Sequence, residues 1–418
     1  MRKRAFALAV SALLLFGCGA KTEMPDDQPY NHGQFNIMET EDGYYTNNIY
    51  GNGNHLALRF YERDTENQVF LCAKPECTHD GGESCAATYK DLECLSSILY
   101  DGAIYNLTIE GGDTVSLCLY KAALDGTSFT KVGDAFTVAN SAGESKVDYL
   151  GYLMIHKGYA YISYRISLGE SSFGFAGSGL VKMDISNGKC EQLYSGENYF
   201  SAYAQALTGS GDYVYYTMYG KPEETGFYRY DTKTGELEKY WDMFPVVGER
   251  KFFVVGYDDE DMKTTAVYSC GKEKADIEKA AEDGLDLVAG GFEEQIGQII
   301  SYEDRVIISH GTMISVFSEE GELLGEISGA DENSGETLIF EQLSVSNGKL
   351  YLFDYALDLF PNEYKHEAES GGYYMDYGEV VYSCPIDDII AGKGEWKFEY
   401  GVKDIFGVDH WKVRDYFD

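Results

Sequence analysis

Basic residues are scarce in this chain. Lys and Arg number 33 against 70 Asp and Glu in 418 residues, a formal net charge of -37 at pH 7. That balance argues against nucleic acid as a partner, because a phosphate backbone is held by clustered cations. It argues equally against docking on anionic headgroups through a basic patch. Proline is sparse, at 7, and tryptophan more so, at 3. Beyond the N-terminal segment there is no run of about 18 apolar residues, the length a spanning helix needs. The common catalytic signatures are missing too. No Gly-x-Ser-x-Gly elbow, His-Glu-x-x-His, P-loop or strand-following Gly-x-Gly-x-x-Gly occurs. His366-Glu367 opens a similar string but lacks the second His, and the acidic run Asp258-Asp259-Glu260-Asp261 lacks the spacing of a calcium loop.

What the chain does have is tyrosine, phenylalanine and glycine, at 36, 22 and 47 residues. One pattern recurs from about Phe35 to Tyr400: a turn with Gly, Asn or Asp, then a short strand of alternating aromatic and β-branched residues. Asp101-Gly-Ala-Ile-Tyr, Lys157-Gly-Tyr-Ala-Tyr, Gly211-Asp-Tyr-Val-Tyr and Asn347-Gly-Lys-Leu-Tyr are its clearest copies. Glycine supplies the positive φ that a tight hairpin turn requires. A second hairpin follows each good copy, beginning at Leu119, Val181, Phe227 and Ile314. Each unit is therefore a four-stranded meander, and the spacing of roughly 50 residues matches a propeller blade. The expected fold is an all-β, most simply seven-bladed, β-propeller, with units starting near residues 36, 96, 147, 203, 243, 293 and 336. Six or eight blades fit the spacing as well, and a pair of β-sandwiches is the rival architecture. Lys272 to Leu287 has helical composition and predicts one short surface helix. Ser167 to Gly179 and Phe360 to Gly378 read as long loops.

The N-terminus carries an address. Arg2, Lys3 and Arg4 precede an apolar stretch from Ala5 to Phe16, too short to span a membrane. Leu15-Phe16-Gly17-Cys18 then resembles a bacterial lipobox, which implies cleavage before Cys18 and a thioether-linked lipid on it. Expected boundaries are a signal peptide over 1–17, lipidated Cys18 and a polar tether over 18–34, and the propeller over 35–418. The chain would then be anchored to a membrane on its extracytoplasmic side rather than crossing it.

Four of the nine cysteines, Cys72, Cys77, Cys85 and Cys94, fall close together with His79 among them. Cys72, Cys77, His79 and Cys85 form a Cys₃His set that can close a tetrahedral structural zinc site, with Pro75 turning the chain between the first two. A disulfide such as Cys72 to Cys85 is an equal alternative in an exported protein. Cys118, Cys190, Cys270 and Cys384 stand singly in strands and read as small core residues. The run Leu-Cys-x-Lys-Pro-Glu-Cys-x-His followed by Cys-Ala-Ala, behind a lipobox and ahead of Tyr-rich repeats, resembles uncharacterised surface lipoproteins of clostridial-type Gram-positive bacteria. The resemblance implies a propeller-like domain at the cell surface and no particular activity. The leading expectation is a membrane-anchored binding module that presents a rigid face to a glycan, peptide or protein. The alternative is a carbohydrate-active hydrolase or lyase using acidic residues near the channel. No catalytic residue is assigned, and fold alone cannot decide between the two.

Overall fold

The computed structural model describes residues 37–50, 55–63, 67–77, 79, 85–90, 92–139, 147–168, 175–196, 203–257, 264–328, 343–354, 365–367, 373–375 and 377–403. The signal segment, Cys18, the tether, the acidic run at 258–261 and most of the loop at 360–378 lie outside them, as do residues 169–174, while the ends of the expected loop at 167–179 are strand, Ser167 pairing with Phe175.

Seven antiparallel meanders follow one another along the chain, each hydrogen-bonded in sequence order through its strands A to D. They cover residues 38–90, 92–139, 147–196, 203–241, 246–290, 296–328 and 343–403. The chain is a seven-bladed β-propeller, and the sandwich alternative falls because no sheet contains strands from two units. The A strands of successive blades lie against one another from one to four and again from five to seven. Buried apolar side chains form seven clusters, one at each junction between neighbouring blades.

That arrangement corrects a simple expectation. Alternation should bury one side chain in two, yet strand B is buried almost throughout, as in Ala103–Glu110 and Tyr213–Tyr219. Each blade packs on two neighbours, so its middle strands have no solvent face. Only strand D, at the rim, keeps a polar alternation, as in Phe129–Ala139. Cys190 belongs to such a rim strand, Cys190–Gly196, and is exposed. It is not the core residue expected, whereas Cys118, Cys270 and Cys384 are buried.

The turns are as the sequence reads. Asp101-Gly102, Lys157-Gly158 and Asn347-Gly348 have positive φ at both positions, the geometry of a type I′ turn between strands A and B. Strands alternate in direction, so A–B and C–D turns share one face of the ring. The B–C and D–A connections leave from the other.

A helix, Lys274–Asp283, stands where helical composition predicts one, between strands C and D of blade five. A second, Ile386–Ile390, links strands C and D of blade seven and buries Ile386 and Ile389. Within the connection before strand C of that blade, Lys365–Glu367 pairs with Tyr373–Met375. Among the described residues no helix is long and apolar enough to cross a membrane.

Candidate metal centre and the cleft beside it

Blade one departs from the pattern at its outer edge. Gln68–Phe70 pairs with one half of strand C, His55–Glu62, and Thr88–Lys90 pairs with the other half. The outer strand is thus cut in two, and the cysteine segment occupies the cut. Backbone bonds anchor both sides: Leu71 N donates to Leu58 O at 2.9 Å, and Leu58 N donates to Ala87 O at 2.8 Å.

Within the cut, Lys74-Pro75-Glu76-Cys77 forms a turn closed by Cys77 N donating to Lys74 O at 3.2 Å. His79 adopts a left-handed conformation with φ 52°. Its ring lies against Phe70, centroids 4.7 Å apart, and its Nδ1 is 3.5 Å from Cys85 Sγ. The ligand atoms of Cys72, Cys77, His79 and Cys85 all lie within 4.8 Å of one another. A tetrahedral Zn–S bond near 2.3 Å implies ligand separations of about 3.8 Å, so small rotations would bring the set onto a metal ion. The sequence-predicted set therefore converges. Cys94 does not join it. Its sulfur lies in strand A of blade two, 2.9 Å from Asn47 Nδ2 and 3.4 Å from Ser97 Oγ.

Electrostatics favour metal ligation at Cys72 and His79 and oppose it at Cys77. Burial works against the Cys72 thiolate, but the Ala86 and Lys74 backbone N–H groups and the Cys77 and Cys85 thiols outweigh it and lower its pKa. The His79 backbone would lower Cys77, yet burial and the adjoining Cys85 and Cys72 sulfurs push it up. Burial pushes His79 down, towards the neutral imidazole that binds metal. All four cysteines of the segment and its flank are thiols in this structure.

Blade two supports the segment from outside. Ala73 N donates to Gly126 O at 3.0 Å. A Cβ on Gly126 would stand 2.7 Å from Cys72 N, so only glycine permits this approach. Nothing in the Cys₃His spacing announces Gly126 as a partner. Its Asp-Gly hairpin was legible, but its long-range contact was not.

Beside the metal ligands an open cleft of about 500 Å³ lies between blades one and two. Tyr45, Phe60, Phe70, Leu71, Cys72 and Leu124 give it apolar walls, and Asp42, Glu62 and Asp125 stand at its rim. Tyr45 and Phe60 form one wall, with ring centroids 4.9 Å apart.

Two other constellations look chemical and are structural. His310 Nε2 lies 2.8 Å from Ser315 Oγ, which donates to Glu326 Oε1 at 2.7 Å. The serine sits between base and acid rather than at the end, and it is fully buried, so it cannot serve as a nucleophile. Glu110, Cys118 and Asp134 also converge, but Lys131 already bridges the carboxylates at 2.9 and 2.6 Å.

No protein-family model matches the chain, and no curated protein matches it. Several solved structures align with much of the chain. The uncharacterised protein lmo1340 from Listeria monocytogenes EGD-e aligns at 9% identity and TM-score 0.46, covering 75% of this chain and 84% of that one. An oligogalacturonate lyase in complex with manganese aligns at 8% and 0.48, covering 78% and 86%. The propeller domain of the Trilobed protease from Pyrococcus furiosus, described as having an open velcro topology, aligns at 9% and 0.40, covering 70% and 83%.

Proposed function

We propose that this chain is a lipid-anchored, extracytoplasmic binding module whose ligand cleft is built beside a structural zinc site. The cleft carries the reading: aromatic walls and a polar rim, open to solvent, on a rigid ring. Three thiolates and a neutral imidazole would leave zinc no open position, which suits holding a cut strand together rather than catalysis. The zinc would be held by Cys72, Cys77, His79 and Cys85. Lipid anchoring at Cys18, and kinship with clostridial-type surface lipoproteins, rest on the lipobox-like and cysteine motifs.

Two experiments test this. Glycan and peptide arrays probed with the full chain in detergent should yield specific binders lost when Phe60 becomes Ala. Arrays without a binder, beside measurable turnover of an oligosaccharide, would overturn the reading. Growth with labelled palmitate should label the parent and not Cys18→Ser. Equal labelling of both removes the anchor.

A further inference from the structure

The rim of the cleft has one sign of charge. Asp42 comes from the A–B turn of blade one, Glu62 from the end of its strand C, and Asp125 from the C–D turn of blade two. No lysine or arginine lines the cleft. Of the two guanidiniums flanking it in sequence, Arg59 lies over the Phe70 ring, 5.5 Å from its centroid, and Arg63 is committed to Glu39 at 2.7 Å, with further bonds to Tyr44 Oη and the Thr40 and Glu41 carbonyls. Asp125 is held ionised by the Thr127 hydroxyl and backbone N–H. Burial, then the Asp42 and Asp125 charges, push the Tyr45 hydroxyl up, so these carboxylates act on the same ring from different blades. Beneath the rim lie Tyr45, Phe60 and Phe70, the last already packed against His79 and Arg59.

Rings below and carboxylates above select among the ligand classes a propeller face can serve. A neutral sugar could stack on the rings and donate its hydroxyls to the carboxylates, but it would leave their shared negative charge uncompensated. A uronate or phosphate would be repelled. A side chain with an apolar stem and a cationic head satisfies both, its stem on the rings and its head at the rim. We infer that the cleft between blades one and two is a docking site for a peptide segment bearing lysine or arginine, the stem lying on Tyr45, Phe60 and Phe70 and the head facing Asp42, Glu62 and Asp125. This rests on the binding-module reading and narrows it from three ligand classes to one.

The test uses the full chain in detergent with its bound metal. A peptide array presents Lys, Arg, Nε-acetyl-Lys or Glu at a central position between randomised flanks, beside a glycan array. Expected binders carry Lys or Arg and weaken about tenfold on acetylation, where the charge goes and the stem stays. Binding should also weaken as salt rises. The double variant Asp42→Asn/Asp125→Asn should lose binding by a similar factor with an unchanged thermal midpoint. Glu282→Gln, an exposed change on the blade-five helix, should bind like the parent. Acetyl-lysine peptides binding as well as lysine peptides, or indifference to the double variant, would overturn the inference. Glycan binders unaffected by the double variant would overturn it while leaving the binding module standing. An absence of binders on both arrays would overturn both.

Discussion

Tyrosine is the residue that builds this ring, and its hydroxyl decides what each copy contributes. Tyr216 is completely buried, and its hydroxyl has no hydrogen-bond partner among the described residues. A buried donor left unmade costs about 1–3 kcal/mol, so Tyr216→Phe should stabilise the fold by about 1 kcal/mol. Tyr351 is as deeply buried, but its hydroxyl donates to Glu39 Oε2 at 2.6 Å. Bonds to ionised groups contribute about 1.5–3 kcal/mol, so Tyr351→Phe should destabilise by about that much. Urea titrations of the two variants should move the midpoint in opposite directions. Movement of both in one direction would show that ring packing, not the hydroxyl, dominates. Tyrosine's abundance was legible in the sequence. Which hydroxyls have partners was not, because partners such as Glu39 for Tyr351 come from another blade.

At the scale of the element, turns do more than reverse the chain. The last residue of strand A repeatedly reaches the next blade's A–B turn: Tyr100 Oη accepts from Gly158 N at 3.1 Å, and Tyr302 Oη from Gly348 N at 3.0 Å. His156 Nε2 meets Gly211 O at 3.0 Å in the same way. The turn glycines could be read from the sequence because positive φ restricts residue type locally. The latches could not, since Tyr, His and Tyr at one structural position share no local pattern. The cut in the outer strand of blade one was foreshadowed only as a cysteine insertion. The helix Ile386–Ile390 went unread because five residues are too few to show periodicity. Gly126 offers the sharpest test at this scale. Gly126→Ala puts a Cβ against the Cys72 backbone at a φ of +69° that alanine resists. It should displace the Cys72 side of the cluster, and competition with a chromogenic chelator should show zinc affinity at least about tenfold weaker. Unchanged affinity would mean the segment holds its shape without blade two.

At the scale of the whole molecule, the described blades one and seven share no strand: among the described residues, blade one contains only N-terminal strands and blade seven only C-terminal ones. Side chains close the ring instead. Glu39 of blade one accepts hydrogen bonds from Asn347, Lys349 and Tyr351 of blade seven, beside a packed set of Tyr44, Tyr61, Tyr351 and Tyr400. Burial alone would raise the Glu39 pKa, but the Tyr351, Arg63 and Asn347 bonds and the Lys349 charge bring it below its ordinary 4.5. A depressed carboxylate stabilises the fold above its unfolded pKa and loses that contribution as pH falls through the folded value. The thermal midpoint should therefore drop as pH falls below about 4.5, and Glu39→Gln should be less stable at neutral pH and flatten that dependence. A parallel acid profile in the variant would place the sensitivity elsewhere. Blade one thus carries both the ring's closure and the one cut outer strand among the described blades, so a metal in that cut should bear on the stability of the whole ring. The most direct measurement is metal content of the full chain, purified without a metal-affinity column, together with intact mass before and after reductant. The account predicts zinc stoichiometric with chain, an unchanged mass on reduction, and a cooperative loss of thermal stability on chelation. A metal-free protein that gains two hydrogens on reduction, with Cys72 bridged to Cys85, would contradict it.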